Sequence, residues 1–359
     1  MSQSSLSPQY YEILKQIQKS VEASVDRSLE EARGNIKKLI PTTISDNCIV
    51  DEIKLDENLD NNGLYGEWIR VKDIQDTRRV VLYFFGGGYV IGSPEVSRYL
   101  TCKIAETAEC PVFAINYRLA PEHQFPAQLC DALAAYLYLT NPGPEAGFEP
   151  FNPSQIIFSG SSAGGGLAVA TTLFLRDADL PLPSGLVLWS AWVDLTSSMA
   201  SYWDSEMDKT DYLPAELGVS KFKSAISKSN EFLEQAKFLE EKIKQKKPKC
   251  PMLAESLGNL PPILCPTEVI LEVYDELFHC FQQMIPDKIS EFSIKRSCDF
   301  IKNHTLNENI SDEADSKFLQ GIHKTITAIS PNCEIRGLDE RYLVCLNWEN
   351  IGVVPEVED

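Results

Sequence analysis

A chain of 359 residues with 43% apolar content is long enough for one large α/β domain or two ordinary ones, and it has ample material for a core, which excludes an intrinsically disordered protein. Its formal net charge of -19 repels phosphate backbones and anionic lipid head groups, so a role on nucleic acid or at a membrane surface would need a local basic patch. The one basic cluster, Lys242 to Lys249, follows several glutamates and reads as a solvated helix end.

The N-terminal stretch MSQSSLSPQYYEILKQ lacks the positive start and apolar core of a signal peptide. No run reaches the roughly 18 to 20 apolar residues of a spanning helix. A soluble, cytoplasmic protein with no integral membrane segment is the expectation. Ten cysteines are scattered from Cys48 to Cys345, without a C-x-x-C pair or histidines at zinc spacing. They read as reduced thiols packed as small apolar side chains, with no metal site.

Residues 8–39 predict one or two amphipathic helices, with Tyr11, Leu14, Ile17 and Val21 on one stripe and Pro41 as the stop. From Val71 onward, short apolar β-branched runs alternate with helical stretches, the pattern of a parallel sheet covered on both faces. The runs are Val80 to Phe84, Val112 to Asn116, Ile156 to Ser159, Leu186 to Ser190 and Val269 to Tyr274. Between Ser201 and Lys249 the strands stop, and Phe232, Ala236, Leu239 and Ile243 keep a helical stripe, which reads as a cap inserted over the strand ends. Past about residue 310 no strong period remains. The organisation expected is a helical cap segment over 1–50, a core over 51–200 and 250–310, a cap insertion over 201–249 and a tail over 311–359.

The most specific signal is IIFSGSSAGGGLAVATTLFL: a strand, then Gly160-Ser161-Ser162-Ala163-Gly164, then a helix. In such an elbow the central serine is held in a strained backbone conformation, and small residues are needed two positions to either side. The helix that begins after Ser162 aims its free N–H groups and positive end at the place where negative charge develops in acyl transfer. Upstream, VVLYFFGGGYVIGS puts three glycines directly after a buried strand, so the backbone can approach a ligand and turn its N–H groups inward. Gly87, Gly88 and Ala163 are therefore the candidate oxyanion donors. The loop is expected to face Ser162 across a pocket roofed by residues 1–45 and 201–249.

These two motifs resemble those of the hormone-sensitive-lipase-like esterases, a branch of the α/β hydrolases in which an H-G-G-G loop precedes a G-D-S-A-G-G elbow. The blocks NYRLAPEHQFPAQLCDALAAYLYL, SAWVDLT and LEVYDELFHCF are similar to further landmarks of that family. The resemblance covers about residues 70–285, interrupted by the cap insertion. It implies a doubly wound, mostly parallel sheet of the α/β-hydrolase type under a helical cap. The implied activity is hydrolysis of small or medium carboxylic esters as small-molecule substrates, without a cofactor. Two positions depart from the pattern: Phe85 replaces the loop histidine and Ser161 replaces the aspartate before the nucleophile.

Of the four histidines, His123 sits in the APEH turn, and His304 and His323 lie in the polar C-terminal region. His279 follows VILEVY, where the resemblance places the base that takes the serine proton. The family's acid lies after its penultimate strand, ahead of a crossover helix. Here LPPIL, ending at Leu264, matches the start of that strand, and only Cys265-Pro266-Thr267-Glu268 separate it from the last one. A parallel crossover needs about a dozen residues or more, so the penultimate-strand region reads as truncated and the acid as missing between Leu264 and Cys265. Glu268 is a poor acid in a hairpin and in an irregular turn alike, and Asp275 and Glu276 read as a solvated turn. A hairpin would also send His279 to the sheet end opposite Ser162. Two readings stand: an ester hydrolase impaired by the loss of its acid, and a ligand-binding protein of the same fold, as the plant gibberellin receptors are. The retention of both nucleophile and base favours the hydrolase.

Overall fold

The computed structural model describes residues 8–23, 28–40, 43–55, 64–74, 78–178, 180–193, 211–213, 268–274, 277–305 and 323–337. The junction at Leu264, the basic cluster at 242–249 and nearly all of the stretch 201–249 lie outside the described residues, as do Asp275 and Glu276.

Six strands form the main sheet: β1 (Cys48–Leu55), β2 (Leu64–Val71), β3 (Val80–Phe84), β4 (Val112–Ile115), β5 (Ile156–Ser161) and β6 (Gly185–Trp189), in the order β1-β2-β4-β3-β5-β6. The pair β1/β2 and the pair β2/β4 are antiparallel, whereas β3/β4, β3/β5 and β5/β6 are parallel. Every residue of β3, β4 and β5 is buried. That explains why these strands read as continuous apolar runs and not as alternations, since helices cover both faces of a parallel sheet.

The covering helices are α3 (Pro94–Ala108), α4 (Ala127–Thr140), α5 (Ala163–Asp177) and, after a single turn α6 (Phe281–Met284), α7 (Lys288–Thr305). Helix α3 packs with α7, and α4 with α5, so the sheet lies between two helical layers. Local chemistry sets their ends. Ser93 caps α3 ahead of Pro94 in the first turn, and Glu109 closes it in the left-handed conformation. A buried ion pair, Arg118 Nη2 to Asp131 Oδ1 at 2.7 Å, fixes the turn that carries the APEH block ahead of α4.

Two helices precede the sheet, α1 (Pro8–Ala23) and α2 (Leu29–Leu39). A capping box starts α2: Ser28 Oγ accepts from the Glu31 N–H, and Glu31 Oε2 accepts from the Ser28 N–H. On α1 the buried stripe is Tyr10, Leu14 and Ile17, whereas Tyr11 is exposed. This corrects the stripe expected from sequence by one position, because Tyr10 is the residue that turns towards Phe278, with ring centroids 5.1 Å apart.

A second sheet joins β7 (Glu268–Tyr274), β8 (His323–Ile329) and β9 (Ile335–Gly337), with β7 parallel to β8 and β9 antiparallel to it. Strands β8 and β9 thus occupy part of the stretch in which the sequence shows no strong period. Among the described residues β6 is the last strand of the main sheet, and β7 pairs with β8 instead of β6. Among them, too, no helix is long and apolar enough to cross a membrane.

Candidate active site

Strand β5 ends in a turn that sets Ser162 at φ 52° and ψ -121°, a conformation that L-residues avoid unless the surroundings enforce it. The enforcement is visible. The Ser162 N–H donates to the Trp189 carbonyl at 2.9 Å, and the Ser162 carbonyl accepts from Gly166 at 3.1 Å and from Trp192 at 2.9 Å. The turn is also too tight for side chains at its flanks, since a Cβ on Gly164 would lie 2.1 Å from the Phe84 carbonyl oxygen. Ser162 itself is half-buried, at the head of α5, whose first residue is Ala163.

The glycine loop faces this serine. A Cβ on Gly86 would stand 3.2 Å from Ser162 Cβ. Gly87, at φ 127°, and Gly88, at φ 61°, both have positive φ, which favours glycine, and most strongly at Gly87. Among the described residues no hydrogen bond occupies the N–H of either. The N–H of Ala163 belongs to the first turn of α5, where helix geometry leaves donors free. Ala163 adjoins the serine along the chain, and Gly87 and Gly88 directly follow the glycine that packs against it.

The two positions that depart from the family pattern are both buried and bonded to tyrosines. Phe85 is buried and stacks on Tyr117, with ring centroids 4.0 Å apart and planes 5° from parallel, and the Tyr117 hydroxyl donates to the Phe85 carbonyl at 2.6 Å. Ser161 is also buried, its Oγ 3.0 Å from the Tyr83 hydroxyl. Helix α2 is fastened over the loop by Arg33: Nε donates to the Val90 carbonyl at 2.9 Å, Nη2 to the Ala120 carbonyl at 3.0 Å, and both Nη atoms to Glu122 at 2.8 Å.

The His279 turn lies at the same end of the main sheet as Ser162. Its neighbour Cys280 donates its N–H to Ser190 Oγ at 3.1 Å, just past the end of β6. The Cys280 thiol points at the Trp189 carbonyl, 3.6 Å away, the same acceptor that holds the Ser162 N–H. Burial pushes the Cys280 thiol up to about 12, so it is a neutral packing group and not a competing nucleophile. His123, by contrast, lies in an exposed turn. His304 sits near the end of α7, stacked on Phe300.

Three successive peptide N–H groups of this turn are bonded to three different parts of the chain. Phe278 donates to the Tyr10 hydroxyl of α1 at 2.9 Å, His279 to Asp211 Oδ2 at 3.0 Å, and Cys280 to Ser190. Asp211 carried no signal in the sequence: it is one acidic residue in a polar stretch, and its partner is distant along the chain. Burial disfavours the imidazolium of His279 and lowers its pKa, and the Asp211 carboxylate opposes that shift. The His279 Nε2 atom is buried and has no hydrogen-bond partner among the described residues. Among the described residues no carboxylate is hydrogen-bonded to the His279 ring, and the side chains of Glu268, Asp275 and Glu276 lie outside those residues.

The family model for the alpha/beta hydrolase fold matches residues 81–268. An acetyl-hydrolase from Streptomyces hygroscopicus is 40% identical over 136 residues, which cover 38% of this chain and 42% of that protein. An arylesterase from Saccharolobus solfataricus is 29% identical over 199 residues, 55% of this chain and 58% of that one. The chain thus spans about half the length of the curated relatives it matches. The crystal structure of an esterase from the bacterial hormone-sensitive lipase family superposes with a TM-score of 0.65 at 25% identity, covering 84% of this chain and 100% of that one. With its strained serine elbow facing a glycine loop across the ends of a mostly parallel sheet, and its likeness to that esterase, this chain belongs to the α/β-hydrolase fold family.

Proposed function

We propose that this protein is a carboxylic-ester hydrolase of small or medium acyl esters that works through an acyl-enzyme on Ser162, without a cofactor, and is impaired by the absence of the family's acid. The observation that carries this reading is the backbone of Ser162, strained at φ 52° and set against a glycine loop with unoccupied N–H groups. Strain of this kind persists only where the fold over-determines it, and here it exposes one hydroxyl beside donors suited to an oxyanion.

In the proposed reaction Ser162 Oγ attacks the ester carbonyl carbon while its proton passes to His279 Nε2. The carbonyl oxygen becomes an oxyanion facing the N–H groups of Gly87, Gly88 and Ala163. Collapse of the tetrahedral adduct expels the alcohol, which takes the proton from His279, and water then repeats the sequence on the acyl-enzyme. The depressed pKa of His279 suits a base that is neutral at rest. A triad without its acid keeps nucleophile, base and oxyanion donors, so slow turnover is expected in place of none.

The test is covalent labelling with a fluorophosphonate probe. Ser162 is expected to be the single labelled serine, and Ser162→Ala to abolish labelling, whereas Ser161→Ala retains it. Labelling that survives Ser162→Ala overturns the assignment. A protein that binds an intact ester while Ser162 stays unlabelled would instead be a ligand-binding member of the fold.

A further inference from the structure

The His279 turn is held by groups that the family pattern does not assign. Asp211 lies in the stretch read from sequence as the cap insertion, and its backbone carbonyl in turn accepts from Gln18 Nε2 of α1 at 2.8 Å. Its carboxylate is fully engaged: Oδ2 takes the His279 N–H at 3.0 Å, and Oδ1 takes the N–H groups of Tyr212 at 2.6 Å and Leu213 at 3.1 Å. Three donors with no acceptor among them suit a carboxylate, which accepts only. Tyr212 continues the contact, its ring centroid 6.1 Å from that of His279.

Resting on the hydrolase reading, we propose that Asp211 is a positioning residue for His279, which fixes the turn through its peptide N–H and supplies the negative charge that the missing acid would have supplied from the core. The groups around His279 leave that charge to Asp211. Tyr10 reaches in from α1, Tyr212 from beside Asp211 and Cys280 from the turn itself, and burial raises the pKa of each, so all three are neutral. Ser190, which accepts from the Cys280 N–H, contributes a hydroxyl. Among the described residues Asp211 is the carboxylate that acts on the His279 ring. Because it acts from one side of the turn and not along the ring N–H, it replaces the acid's charge without replacing its in-line hydrogen bond.

The experiment compares Asp211→Asn with Tyr10→Phe in the full chain. The asparagine keeps the size and an acceptor oxygen but removes the charge, whereas Tyr10→Phe removes a neighbouring anchor of the same turn with no change of charge. The histidine ring titrations are followed by NMR, with His279 assigned from its absence in His279→Gln. Asp211→Asn is expected to lower the His279 midpoint by about one pH unit and to move the acid limb of kcat/KM the same way. It should reduce kcat about tenfold and leave KM within about twofold. Tyr10→Phe should leave the midpoint in place. An unchanged midpoint in Asp211→Asn, or equal shifts in both variants, overturns the proposal. Should Asp211→Asn not fold, Asp211→Ser, which keeps a short acceptor, carries the same comparison. If the wild type neither hydrolyses a p-nitrophenyl ester nor labels at Ser162, the hydrolase reading fails, while the titration still decides the role of Asp211.

Discussion

The hydroxyl of Tyr117 donates to the carbonyl oxygen of Phe85 at 2.6 Å while the two rings lie stacked 4.0 Å apart. The residue just before the glycine loop is thus held twice by one tyrosine, once through its backbone and once through its ring. Tyr117→Phe keeps the stack but leaves a buried carbonyl without its donor, and it is expected to cost about 1 to 3 kcal/mol of stability. Urea unfolding measures this. A change well below 1 kcal/mol would mean that the loop does not depend on this bond.

The loop itself should tolerate little. A Cβ on Gly87 would lie 2.1 Å from the Ile91 carbonyl oxygen, at a φ of 127° that side chains rarely adopt. Gly87→Ala must therefore shift the N–H groups beside Ser162, and a loss of about 100-fold to 1000-fold in kcat is expected, the cost of a lost oxyanion donor. Gly143→Ala, where nothing lies within 4 Å of the new Cβ, is the matched control and should leave kcat unchanged.

The pH dependence follows from His279. Burial lowers its pKa below the ordinary imidazole range of about 6.5, so the neutral base survives at lower pH and the acid limb of kcat/KM should fall below that value. Stability has its own sign: the unfolded chain takes up this proton first, so folding should weaken as pH drops below about 6.5. Unfolding measured on either side of that pH in wild type and His279→Gln isolates the effect, which the variant should lack.

Chain length between LPPIL and β7 yields the last expectation. Replacing Glu268, Asp275 and Glu276 one at a time by their amides should leave residual esterase activity within about twofold, whereas loss of an authentic acid costs on the order of ten thousand. Steady-state rates on a p-nitrophenyl ester decide it. A collapse in any one variant would identify a complete triad and remove the need for Asp211.

The features legible in sequence are those built from neighbouring residues. The serine elbow needs a strand, a tight turn with small flanks and a helix, all within about twenty residues, so the strain at Ser162 was readable from residue types alone. Strands β3 to β5 were readable for a similar reason: a strand buried on both faces has to be apolar along its length. Strands β1 and β2 carry mixed residues, as antiparallel strands near a sheet edge can, and gave no comparable signal. What the tertiary structure decided are pairings between distant residues. Whether Tyr10 or Tyr11 faces inward depends on Phe278, and the hold of Tyr117 on Phe85 depends on β4 lying beside β3. Asp211 and His279 lie 68 residues apart and meet only in the folded chain. A short polar segment has no periodicity that points to its partner, so hydrogen bonds to peptide groups far along the chain leave no trace in the sequence.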